Sequence, residues 1–550
     1  MEKESDFWQM RKDFLAHLHY GKGYSKETCY GYHSDLGIWG RWLDEAANPD
    51  FSPIAEKKAV SRGIICVRSA CYAQDEDGLM ETQCNAERME FHGLGARRVV
   101  GRFDGGRISS DGGSLLLREV EKRTHILKRL AGCFIDHRDP ELIEHSVESL
   151  IKQRVYGVAL GYEDLNDHDT LRHDVLLGVL GEKEDPSGAG RRQEADRGKA
   201  LAGKSTLNRL ELTPERADAG SRYKKIVADW EAMDKLLVEL FLESYGVPPQ
   251  EIVIDVDATD DPLHGHQEGR FFHGYYGHYC YLPLYFFCGD KLLGARLREA
   301  DEEPAAGCIE ELARLVGQIR GVWPEVRIML RGDSGFCREE ILHWCETHGV
   351  DYVLGLAKNS RLREAIAEEL AEAQREYEST GGPARVFRDF RYQTLESWST
   401  ERRVVGKAEY LPKGENPRFI VTSLSRQEQD ARGLYEDLYC ARGEMENRIK
   451  EQQLALFADR TSTQALRSNQ LRLYFSSFAY VLIETLRALG LGGTELAQAQ
   501  CGTIRLKLLK IGAQIRITVR NVWIAFSEAY PYASLFQAAL ARVQQIPLRC

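Results

Sequence analysis

A mixed α/β fold is what this sequence predicts, and three stretches predict it. Residues 251–257, E-I-V-I-D-V-D, alternate branched apolar side chains with acids, the two-residue period of a strand. Y-C-Y-L-P-L-Y-F-F-C (279–288) and K-L-L-G-A-R-L-R (291–298) read as two further strands, joined by Gly289-Asp290 as a hairpin turn. Helix and strand then alternate: helix 302–320, strand R-I-M-L-R-G-D (327–333), helix 338–348, strand D-Y-V-L-G-L (351–356).

Three strands as a meander, followed by alternating helices and strands, is the order of the ribonuclease-H-like fold. The catalytic domain is accordingly expected in residues 246–358 and 436–490, with a β-rich insertion at 359–435. The insertion carries the strand-like A-R-V-F-R-D-F-R-Y, R-R-V-V-G-K-A-E-Y and R-F-I-V-T-S-L. A long helix is predicted from about Glu436 to Phe457. Before that part, residues 80–245 read as a mainly helical region whose stretch 181–198, rich in Gly, Glu, Lys and Arg, is a loop. Residues 491–550 form a C-terminal region.

The chain has 550 residues, 43% hydrophobic and 29% charged, which suits several globular domains and leaves little room for bulk disorder. The apolar run Leu473–Leu491 is broken by Glu484 and Arg487, so it reads as a core helix, since a membrane span needs about 20 mostly uncharged residues. The start, M-E-K-E-S-D-F-W, has no apolar signal core, which points to the cytoplasm. Thirteen scattered cysteines without a C-x-x-C pair suit reduced thiols. His264, His266, His273, His278 and Cys280 cluster in sequence, but their spacing matches no standard zinc site. The net charge of −11 argues against nonspecific coating of DNA while leaving room for local basic faces.

Residues 5–45 read as two amphipathic helices. The segment D-F-L-A-H-L-H-Y-G-K-G-Y-S-K-E-T-C-Y-G-Y-H-S-D-L within them resembles the start of the core-binding region of phage-type tyrosine recombinases. No H-x-x-R follows, so the remainder of such an enzyme is missing, and Met80 opens M-E-T-Q-C-N-A-E-R like a natural start. Residues 1–79 are therefore expected to be an appended, dispensable fragment and linker, and a protein beginning at Met80 is expected to retain cleavage.

Chemistry is expected from acids. Asp255 and Asp257 lie on one face of their strand at its C-terminal end, where open α/β sheets place their sites. Asp333 ends a second strand in R-G-D-S-G-F. Any one such Asp also suits an ordinary turn or cap. Two carboxylates so presented, with a third from a helix, suit a pair of divalent ions about 3.5–4 Å apart, and hard oxygen ligands favour magnesium or manganese. In Y-C-A-R-G-E-M-E-N-R-I-K-E-Q-Q, residues Tyr439, Arg442, Glu446 and Lys450 fall on one helical stripe, as an ion-pair ladder or as a metal ligand flanked by cations. A different signal is G-K-A-L-A-G-K-S (198–205), which fits the phosphate-loop pattern. No strand is predicted before it, so Ser205 or Thr206 is read as a helix cap.

V-I-D-V-D-A-T-D-D, R-G-D-S-G-F and Y-x-x-R-x-x-x-E together resemble the signature of insertion-sequence transposases of the DDE type, group 1 (the IS-thirteen-eighty type). F-D-G-G-R-I-S-S-D-G-G-S-L-L-L-R-E, Q-R-V-Y-G-V-A-L-G-Y-E-D-L-N-D-H-D, L-A-G-K-S-T-L-N-R-L-E and G-T-I-R-L-K-L-L-K-I-G-A extend the resemblance over residues 80–550. It implies a catalytic, metal-holding triad of Asp257, Asp333 and Glu446, with Asp255 as the fallback for the first acid. Tyr439 and Arg442 carry over as DNA phosphate-binding residues. The family's lysine position is Gln453 here, and Lys450 is the candidate to replace it.

The implied activity is magnesium-dependent hydrolysis at the terminal inverted repeats of a mobile element, then joining of the 3′-hydroxyls to target DNA. The implied assembly is a homodimer in a synaptic complex, associated with the nucleoid when bound to DNA. The resemblance also implies that the helical N-terminal region 80–245 binds DNA, and basic surfaces for the ends are sought in Arg88, Arg97, Arg98, Arg102 and Arg107, and in the acid-free run Cys501–Arg520 with its five cations. The alternatives are a nucleoside triphosphatase built on Gly198–Ser205 and a catalytically idle, domesticated DNA-binding protein.

Overall fold

The computed structural model describes residues 88–549. The recombinase-like segment and the start at Met80 lie outside them. Eight strands order the centre: β1 (Glu251–Ala258), β2 (Leu284–Cys288), β3 (Lys291–Arg296), β4 (Arg327–Gly332), β5 (Asp351–Leu356), β6 (Ala384–Tyr392), β7 (Arg402–Leu411) and β8 (Arg418–Thr422). They form one mixed sheet in the order β3-β2-β1-β4-β5-β8-β7-β6, with Gly414–Glu415 as a short ninth strand on β7. β1, β4 and β5 run parallel, while β2 is antiparallel to both β1 and β3. The strand-like segments between residues 384 and 422 continue the same sheet, because β8 pairs antiparallel with β5 and covers its free edge.

The helices that matter to the site are α1 (Val147–Leu160), α2 (Lys204–Glu211), α3 (Trp230–Glu243), α4 (Cys308–Val322), α5 (Glu339–His348), α6 (Gly443–Lys450) and α7 (Leu466–Gly490). The period of two sorts β1 between two layers. Ile252, Ile254 and Val256 pack with Leu312, Leu315 and Ile319 of α4 and with Ile341 and Leu342 of α5. Val253 faces the other way, toward Met329, Val353, Leu434 and Tyr435. Asp255 and Asp257 share that second face, and so look toward the chain that runs into α6.

The predicted helix 436–457 is not uniform. Wide π turns at Leu434–Tyr439 and Glu451–Ala455 flank a tight 3-10 turn at Cys440–Arg442 and the regular α6. Each wide turn inserts a residue and re-aims the side chains after it, so a stripe drawn at 100° per residue does not hold from Tyr439 to Gln453.

α7 is 25 residues long and mostly buried, packed with α1 in the largest hydrophobic cluster. Among the described residues no helix is long and apolar enough to cross a membrane. Two segments far apart in sequence meet beside it. Strand Arg107–Ser109 pairs with Ala513–Ile517, which pairs in turn with Val522–Phe526. Close approach there is tight enough to demand glycine: a Cβ on Gly113 would stand 1.7 Å from the Leu508 carbonyl oxygen.

Candidate active site

Asp257 ends β1, and Asp333 follows β4, the parallel neighbour of β1. Asp333 caps the turn Ser334–Phe336, its Oδ1 accepting from the Gly335 amide at 2.8 Å. The capping role expected of a strand-end Asp is therefore present, and it occupies one carboxylate oxygen. Asp257 is largely buried; its Oδ1 accepts from the Ala258 amide at 3.0 Å and its Oδ2 lies 3.4 Å from Arg442. The same guanidinium reaches Glu446 at 2.9 Å, one helical turn on. Tyr439 closes the group, with its hydroxyl lying against Gly355 of β5 next to Asp333 and Ser334. The structure thus brings together Asp257, Asp333, Glu446, Arg442 and Tyr439.

Burial raises the Asp257 carboxyl to about 7; Arg442 opposes the shift, and the Asp333 and Glu446 carboxylates add to it. Burial and the nearby Asp333 also raise the Tyr439 phenol, so it remains a hydrogen-bond donor. Among the described residues no three acidic, imidazole or thiol groups converge closely enough to hold an ion as they stand. The Arg442 guanidinium lies between two of the acids instead and balances their charge. The donor set fits a hard divalent cation: three carboxylates, one of them poised to gain a proton in the absence of extra positive charge.

Asp255 has another occupation. Arg331, its cross-strand neighbour on β4, grips it with two hydrogen bonds of 2.5 and 2.8 Å and donates a third to the Leu438 carbonyl at 2.6 Å. Both carboxylate oxygens are taken in a buried fork-to-fork pair, which anchors the segment before Tyr439 to the sheet. Sequence reasoning missed Arg331, although pairing R-G-D against V-I-D-V-D in register was the signal for it. Lys450 is exposed and enters no ion pair among the described residues. After the second wide turn, Gln453 donates to the Asp260 carbonyl at 3.1 Å and to Asp261 at 3.0 Å, tying this helix to the segment after β1. Asp261 is fully buried, and burial raises its carboxyl far above the usual range.

The histidine cluster is a different matter. His278 pairs with Asp260 at 2.8 Å, and Cys280 is a buried free thiol. The hairpin carrying them exposes Phe271, Phe272, Tyr275 and Tyr279.

The two basic runs are sorted by the fold. Arg505 is buried and donates to the Ala159 and Val158 carbonyls. Lys510 pairs with the buried Asp111 at 2.6 Å, and Lys507 lies over the Tyr532 ring. Of the five cations, Arg516 and Arg520 stay exposed, with Arg516 against the exposed Trp523. Arg98 pairs with Glu90 and Arg102 with Asp104, whereas Arg107 is exposed on the strand joined to Ala513–Ile517.

The phosphate-loop match also resolves. α2 starts at Lys204 with Gly203 as its N-cap, so Ser205 and Thr206 are inside the first turn and neither is the cap. The Asp169 carboxylate accepts from the Lys204 amide at 3.0 Å, the place a phosphate would take in a nucleotide loop. Among the described residues the chain arrives there through turns and a short 3-10 segment, with no strand delivering it.

Strand-end acids from adjacent parallel strands, facing an acid and an arginine on a helix, suit a class of enzyme that handles phosphodiesters. The family model for Transposase DDE domain group 1 matches residues 91–548, and the chain belongs to that family. It is a transposase of the DDE type, a class that acts on DNA and generally uses divalent metal ions. A search of curated proteins finds no match to the chain.

Proposed function

We propose that this transposase binds the terminal inverted repeats of an insertion sequence, hydrolyses the phosphodiesters at its ends and joins the freed 3′-hydroxyls to target DNA as a homodimer. The observation that carries the reading is the gathering of Asp257, Asp333 and Glu446 around Arg442. A ribonuclease-H-like catalytic core is supported by the strand order β3-β2-β1-β4-β5, with β2 antiparallel to its neighbours. Asp257, Asp333 and Glu446 would hold divalent magnesium or manganese, which when bound supplies charge stabilisation and an activated water or hydroxyl for in-line displacement. Arg442 neutralises the acids and is placed to turn to a DNA phosphate, and Tyr439 offers a phenolic donor beside Asp333. Arg107, Arg516, Arg520 and Trp523 offer a basic, aromatic face for the element ends.

The test is direct. Purified protein with magnesium and a duplex bearing the element's ends is expected to give nicked and joined products without any nucleotide. Cleavage that requires ATP would sink the reading in favour of a nucleotide-driven enzyme. A folded protein that binds the ends and never nicks them would be a domesticated binder.

Two further outcomes follow from the site. Because the folded Asp257 carboxyl is raised to about 7, its neutral form adds stability that is fully present below about pH 4 and is lost as pH rises through about 7. In chelator, the melting temperature of Asp257→Asn is expected to lose this part of the pH profile. Manganese binding by the native protein, followed by calorimetry, is expected to strengthen across the same range because the ligand must shed its proton. Separately, Gly355→Ala would place a Cβ 2.7 Å from the Tyr439 hydroxyl and 2.8 Å from the Ser334 amide. It is expected to cost about 1–3 kcal/mol of stability in a denaturant melt, with a larger proportional loss of cleavage.

A further inference from the structure

Lys204 and Ser205 of the G-K-S-T stretch, which has no part in the acidic site, line a groove of about 520 Å³. Lys204 and Arg209 of α2, Tyr223 and Lys224 of the following loop, and Arg472 of α7 are among the residues lining it, and Asp164 is its one acid. Lys204 and Arg472 are already paired, with Asp169 at 3.2 Å and Glu211 at 2.8 Å, whereas Arg209, Arg222 and Lys224 enter no ion pair among the described residues. The half-exposed Tyr223 ring holds two guanidiniums against it, Arg209 at 5.0 Å and Arg222 at 4.8 Å from its centroid. Cations crowded onto one exposed ring repel each other, and the arrangement gains most from an anion that spans them. The site does not fit a nucleotide: the helix amide is taken by Asp169, and the groove is open and carries its free cations on two separate elements.

We propose that this groove docks the phosphate backbone of duplex DNA, with Arg209, Arg222 and Lys224 as the phosphate contacts and Tyr223 as the platform that orients the two arginines. The proposal rests on the transposase reading and adds a binding surface remote in sequence from the acids. Phosphate contacts of this kind reveal themselves in salt dependence, each contributing close to 0.9 to the slope of log affinity against log salt.

The experiment follows fluorescence anisotropy of a labelled duplex carrying the element's end, from about 50 to about 200 mM salt. The triple variant R209A/R222A/K224A is expected to bind at least about tenfold more weakly, with a slope shallower by roughly two to three. R209K/R222K, which keeps the charge, is expected to keep most of that slope. A triple variant that melts like the native protein yet binds with unchanged affinity and slope overturns the proposal, as does an R209K/R222K variant as weak as the triple. If the triple variant melts early, Arg222→Ala alone is read in its place, with a slope loss of about one. Binding of a fluorescent ATP analogue that competes with the duplex would make the groove a nucleotide site and also overturn it. Native protein that cuts the ends while the triple variant binds them equally well removes only this proposal. Native protein that binds no duplex at all removes the transposase reading.

Discussion

Asp333→Asn is expected to leave the protein folded and bound to DNA while strand cleavage falls about a thousandfold or more, the equivalent of several kcal/mol of transition-state stabilisation. The fold should tolerate the change. Asp333 is only partly buried, and its Oδ1 caps the Ser334–Phe336 turn, a role the asparagine carbonyl fills equally well. What disappears is one negative charge beside Asp257, and with it one of the proposed ligand oxygens. A second readout separates chemistry from structure. The Asp333 carboxylate helps raise Asp257, so the Asp257 titration is expected to move down in the variant. Cleavage of an end-bearing duplex within tenfold of the native rate would take Asp333 out of the reaction.

Glu211→Ala is expected to destabilise the protein by about 3–5 kcal/mol without touching the acidic site. Glu211 is wholly buried at the end of α2. Its two oxygens receive Arg154 of α1 at 2.7 Å and Arg472 of α7 at 2.8 Å. Burial alone would raise this carboxyl, yet the two guanidiniums hold it below its ordinary value. The stability it brings is present above the ordinary carboxylate range and is lost as pH falls. Alanine strands Arg154, which is itself buried, without a counter-charge. Urea denaturation followed by circular dichroism measures the loss, and a change under about 1 kcal/mol would mean that the three helices are not held through this acid.

The strands were legible because their apolar runs are short, alternating and bounded by turn residues, and the parallel pairing of β1 with β4 aligns two acid-tipped runs. Asp255 and Asp257 were not separable by periodicity, since both lie on one face. Only the register that sets Arg331 beside Asp255 shows that both oxygens of that acid are taken by one guanidinium. Gln453 falls in a wide turn, and such turns are not written in residue spacing. The basic run 501–520 failed as a uniform surface for a related reason. Charge counts along a chain are blind to burial, and Arg505 and Lys510 are spent inside, on backbone carbonyls and on Asp111. The blocks at residues 103–119, 153–169, 201–211 and 502–513, read in the sequence as resembling the family, supply much of this internal fastening: Gly113 against Leu508, Asp111 with Tyr162 and Lys510, Arg154 with Glu211.

The small sheet that joins Arg107–Ser109 to Ala513–Ile517 also sets a schedule. A ribosome delivers the first of these strands some four hundred residues before the second, so the early region must wait, with Gly113 and Asp111 unfastened, until the last tenth of the chain emerges. Contacts that remote are slow to close. A nascent or prematurely stopped chain therefore holds its acids before it holds a finished framework around them. The sheet that fastens the early region thus closes only once residues 508–517 have been made.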